Sequence, residues 1–138
     1  MKKIKKNTTA AARKPQKPQK TILEFYYMIP DEVTAKELTE TVTCVKAEDV
    51  DVWPELNLME VVLESDSLIL QDSREDFTDP ADLAFIEGYQ IKSIFSVSYG
   101  QSDQATACRI LKQMMEARGG FICSDTENFE PMWTKESI

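Results

Sequence analysis

The chain predicts an α+β domain built on a single mixed or antiparallel sheet of about five strands, with two main helices on one face. Three observations lead there. Runs rich in β-branched and aromatic residues, TILEFYYMI (21–29), LMEVVLE (58–64), SLILQD (67–72) and IKSIFSVSY (91–99), read as strands. Two other stretches carry apolar residues at helical intervals behind capping residues. The length, 138 residues with 42% hydrophobic and 29% charged, suits one hydrophobic core.

The first strand ends at Pro30. Asp31 then offers an N-cap, and Val33, Leu38, Val42 and Val45 recur at helix-compatible spacing. Residues 49–54 read as a loop, because Pro54 disfavours helix at Trp53. Ser65-Asp66 sits between two apolar segments and suggests a hairpin without an Asn-Gly turn. A polar loop over 72–80 leads to Asp79-Pro80, an N-cap followed by the favoured first-turn proline, which opens a short helix ending at Gly88.

The clearest unit comes last. A strand over 91–99, a turn at Gly100 and a cap at Ser102 or Asp103 precede a helix whose apolar face is Ala105, Cys108, Leu111, Met114 and Met115. Gly119-Gly120 stops that helix, and FIC (121–123) begins another strand. A β-α-β-β-α-β-α-β order is compatible with a split βαβ, ferredoxin-like or related sandwich.

Charge divides the chain. Residues 1–20 hold eight bases and no acid, so they read as a disordered tail of charge +8. The other eight bases and all 24 acids fall in 21–138, an acidic domain of charge −16. Between Glu48 and Glu87 there are 13 acids against Arg74 alone. Within the tail KPQKPQK repeats every three residues, so Lys14, Lys17 and Lys20 would line one edge of a polyproline helix, roughly 9 Å apart. That edge could serve as tail contacts, or the segment could be a spacer.

Histidine is absent, which excludes Ser-His-Asp and Cys-His catalysis and every His-containing metal site. Cys44, Cys108 and Cys123 show no CxxC spacing, and without an export signal they read as reduced thiols of a cytoplasmic protein. DSREDFTDPAD has carboxylates but no glycine for a calcium loop, and it includes Arg74. The helix start after Gly100 lacks a phosphate-binding pattern, and Asp103 would occupy the anion's place. No metal, cofactor or catalytic residue is expected. No apolar run reaches the roughly 20 residues of a membrane helix.

What remains is an acidic surface. Clustered carboxylates steer a cationic partner and can occupy the groove in which it binds phosphate. Trp53 lies among Asp49, Asp51 and Glu55, where a tryptophan could anchor an interface or, alternatively, belong to the core. A second cluster is Asp72, Glu75 and Asp76. These seven residues are the candidate partner-binding set. The reading they favour is a non-catalytic acidic protein that engages a basic protein, as an immunity-type or nucleic-acid-mimicking inhibitor would. Two alternatives stand beside it. One is a small ligand-binding domain or enzyme using Asp/Glu with Tyr26, Tyr27 or Tyr99, and the other an assembly subunit with an interaction tail. Nucleic acid would be held only weakly, through the tail.

Overall fold

The computed structural model describes residues 21–138. The expectations for residues 1–20, the disordered tail and its contacts Lys14, Lys17 and Lys20, lie outside the described residues.

The seed of the fold is β1 (Ile22–Ile29). Its alternation sends Leu23, Phe25, Tyr27 and Ile29 to one side of the sheet and Tyr26 and Met28 to the other. Tyr27, Met28 and Ile29 are all fully buried, as a central strand requires.

Only one turn of helix follows, α1 (Ala35–Thr39), where the sequence suggests a longer one. Thr34 caps it rather than Asp31, in a reciprocal box with Glu37. The helix stops because threonines compete for its carbonyls. Thr39 Oγ1 donates to Lys36 O (2.6 Å) and Thr41 Oγ1 to Leu38 O (2.7 Å).

Residues 50–53 form a strand, β2 (Val50–Trp53), and not the expected loop. Val50 and Val52 turn inward while Asp51 and Trp53 turn outward, so the segment has a half-buried alternation. Pro54 then starts a single 3-10 turn that closes at Asn57 in the left-handed region (φ 47°). The Asn57 side chain ties three elements together. Its Oδ1 accepts from Ala35 N (2.6 Å), and its Nδ2 donates to the Asp72 carboxylate (3.1 Å).

The hairpin of β3 (Leu58–Val62) and β4 (Ser67–Asp72) forms as expected, with Val62 opposite Ser67. Helix α2 (Pro80–Gly88) also matches its sequence signals, and the Asp79 carboxylate accepts from Ala81 N (2.8 Å). The chain continues through β5 (Ser93–Gly100), α3 (Gln104–Arg118), β6 (Phe121–Ser124) and the two-residue β7 (Met132–Trp133).

The result is a mixed α+β domain with one antiparallel sheet of seven strands, ordered β2-β3-β4-β5-β1-β6-β7. The expected five strands become seven through β2 and β7. Because β5 and β6 both pair antiparallel with β1 from opposite sides, they run parallel to each other. β5–α3–β6 is therefore a split βαβ unit. The return into β6 depends on Gly120 (φ +86°), where a Cβ would lie 2.2 Å from Met28 O.

The helices do not share one face. Leu38 of α1 and Ile110, Leu111, Met114 and Met115 of α3 pack with the inward residues of β1, β3, β4 and β5 in the main core. Ile86 of α2 packs on the other side, with Met28, Ile94, Phe121 and Cys123, beneath Phe77 and Phe129. No helix among the described residues is long and apolar enough to cross a membrane.

Candidate functional site

Cross-strand register turns the alternation of single strands into rows. On the face opposite α1 and α3, one row runs Asp51, Glu60, Ile69, Ser98, Glu24 across β2, β3, β4, β5 and β1. The neighbouring row runs Trp53, Leu58, Gln71, Ser96, Tyr26, Cys123. Phe77 covers the Tyr26 end, its ring edge-on to Tyr26 at 5.0 Å. Towards β2 the face is open: Trp53 is 39% exposed, Ile69 36% and Val62 47%.

Strands β1 to β5 contain no lysine or arginine, so three carboxylates and several apolar groups face solvent there without a cation in the sheet. Asp51 and Glu60 are directly opposed, a like-charge pairing that costs sheet stability. Glu60 gains partial relief by accepting a hydrogen bond from Ser67 Oγ. From Glu24 to Asp51 the row crosses four strand spacings, roughly 19 Å.

At the β1 end the face dips into a hollow of about 190 Å³, with Glu24, Tyr26, Ser96, Ser98 and Asp125 on its walls. Burial raises the Tyr26 hydroxyl's pKa, and the carboxylates of Asp125 and Asp76 push it in the same direction. The carboxylates of Glu24 and Asp125 on the walls would favour a cationic group in the hollow.

The structure separates the seven candidate residues. Asp51 and Trp53 lie on the open face, with Asp49 in the 3-10 turn before β2 and Glu55 in the exposed turn after it. Asp76 lies within electrostatic reach of Tyr26. Asp72 has a mainly structural place, since its carboxylate accepts from Arg74 N (3.0 Å) as well as Asn57 Nδ2. Asp72 and Glu75 also line a groove with Arg74 and Lys92, whose positive charges offset theirs. The sequence alone does not single out Glu24, Glu60 or Ile69. Strand alternation marks Glu24 and Glu60 as outward-facing, but only pairing register brings them beside Asp51.

Asp103 does precede α3, but without capping it through its side chain. Its two carboxylate oxygens instead accept from Ser65 N (3.1 Å) and Asp66 N (3.0 Å) at the β3–β4 turn. Trp133 packs edge-on against Phe25 at 5.5 Å. Among the described residues no group of His, Cys, Asp and Glu is arranged to hold a metal ion.

Comparison with protein-family models, curated proteins and solved structures finds no match for this chain.

Proposed function

We propose that this protein is a non-catalytic binding protein whose open sheet face engages a basic protein partner, in the manner of an immunity-type or nucleic-acid-mimicking inhibitor. The observation that carries the reading is the row Asp51, Glu60, Ile69, Ser98, Glu24 beside exposed Trp53, on five strands without a single basic residue. A partner with lysines or arginines around an apolar centre complements it. The carboxylates would steer the encounter, and Trp53 with Ile69 would supply the desolvated anchor. The hollow beside Tyr26 has room for one cationic side chain. Cytoplasmic action is consistent with three cysteines that form no disulfide.

The test compares the full chain with a double variant, Asp51→Lys and Glu60→Lys, as baits at low and high salt. Support requires a captured basic protein that the double variant fails to retain. The purified pair should then associate at least about tenfold more slowly in high salt, as an electrostatically steered encounter does. Equal capture by both baits, or a salt-independent association rate, would remove the open face from the interface.

A further inference from the structure

A second hollow lies on the other side of the sheet, between β1, β5, α3 and the C-terminal segment, with a volume of about 220 Å³. Its walls are the rings of Phe25, Tyr99 and Trp133, and Leu111 and Ile122 add aliphatic surface. Phe25 and Tyr99 stack with centroids 5.8 Å apart and planes 27° from parallel, and Trp133 meets Phe25 edge-on. Cys108, Gln104 and Ser137 supply its polar groups.

No charged side chain lines this space. That sets it apart in so acidic a domain, where four other hollows among the described residues each include at least one carboxylate. α3 presents only a cysteine at 108, so a larger side chain that would close the gap is missing.

We propose that this hollow binds a small, flat, uncharged aromatic molecule of one or two fused rings that carries one hydrogen-bonding group. The size fits, because an apolar cavity of roughly 150 Å³ already accepts benzene. The geometry fits too. Ring faces from Phe25 and Tyr99 and the ring of Trp133 offer both stacked and edge-on contacts to a further ring. Gln104, among the lining residues, carries an amide that can donate or accept a ligand's hydrogen bond. Burial raises the pKa values of both Tyr99 and Cys108, which share a hydrogen bond, so both groups stay neutral at neutral pH. The side chains that line the hollow are uncharged and offer a charged ligand group no ionic partner. This site is separate from the open acidic face and does not depend on the proposed partner.

The experiment uses the full chain carrying Cys44→Ser, which leaves Cys108 as the accessible thiol because Cys123 is buried. Indole is the probe, and cyclohexanol is an apolar control without an aromatic ring. Saturating indole should slow modification of Cys108 by a disulfide reagent at least about fivefold and raise Tm, as a ligand specific for the folded state does. Cys108→Phe, which fills the hollow with a ring, should abolish the indole-dependent rise in Tm. Cys108→Met serves the same purpose if the phenylalanine variant does not fold. The assignment is overturned if indole gives no saturable protection, if cyclohexanol protects equally, or if the filled variant keeps its response to indole.

Discussion

Asp51 on β2 stands directly opposite Glu60 on β3. Two carboxylates facing each other across a ladder weaken it, where an opposite-charge pair would strengthen it by about 0.2–1 kcal/mol. Asp51→Lys should therefore raise the chemical denaturation midpoint while weakening capture of a basic partner. A gain in stability coupled to a loss of binding would mean that the carboxylate is kept for recognition. If stability falls, Asp51 supports the fold in some way the register does not reveal.

Asp103 acts at a distance of almost forty residues, holding the β3–β4 turn from the start of α3. Asp103 is only 5% exposed, and both hydrogen bonds are partly buried. Asp103→Ala removes a charged acceptor from two backbone donors and should cost about 2–4 kcal/mol in urea unfolding. Asp103→Asn keeps one oxygen and should lose roughly half of that. A loss below about 0.5 kcal/mol for alanine would mean that water replaces the carboxylate.

The sequence signals that survived were local. Asp79-Pro80 marks α2, Gly119-Gly120 ends α3, and the two apolar runs around Ser65-Asp66 pair as a hairpin. The failures had competing local chemistry or no local signature at all. Threonine hydroxyls cut α1 short, and Pro54 ruled out helix without ruling out the strand before it. β7 is two residues long, too short for any periodicity. The candidate face was half legible. Asp51 and Trp53 stand out as an acid and an aromatic in one short segment. Glu24 and Asp125 meet at Tyr26 only because β6 returns to pair with β1.

Gly120 makes the return into β6 possible, and nothing larger fits. A Cβ there would overlap the Met28 carbonyl, on a backbone conformation that L-residues rarely adopt. Gly120→Ala should cost more than about 3 kcal/mol and leave little folded protein, as read by amide NMR dispersion. Gly88 is the control, because no atom lies within 4 Å of its Cβ position. Gly88→Ala should fold normally.

Alkali should destabilise this protein through its buried thiol and phenols. Burial pushes the Cys123 thiol up to about 12, with Asp125 adding to it, and pushes the Tyr99 hydroxyl up to about 12. Tyr27, whose hydroxyl donates to Gly119 O (2.7 Å), is raised as well. In the unfolded chain these groups lose their protons at the ordinary thiol and phenol values of 9.0 and 10.0. Between those values and the folded ones the native state binds more protons, so stability falls as pH rises. Denaturation midpoints should be level with respect to these groups below about pH 8 and decline above about pH 9. Tyr99→Phe keeps the ring and removes one titration, so its decline should be shallower. An identical slope would mean that Tyr99 ionises normally in the folded protein.

The two tryptophans should separate recognition from packing. Trp53 is exposed on the open face, whereas Trp133 is half-buried against Phe25 beside the aromatic hollow. Trp53→Ala should leave stability within about 0.5 kcal/mol, since it empties no core space. It should weaken a basic partner at least about tenfold, as loss of an aromatic anchor does. Trp133→Ala should lower stability by about 2–3 kcal/mol and leave partner affinity unchanged once folding is accounted for. Isothermal calorimetry beside urea titration reads both quantities on the same preparations. If Trp53→Ala binds as tightly as the parent, the partner does not use the β2 end of the sheet. Asp125 and Glu24, at the other end of the same face, would then be the next pair to reverse.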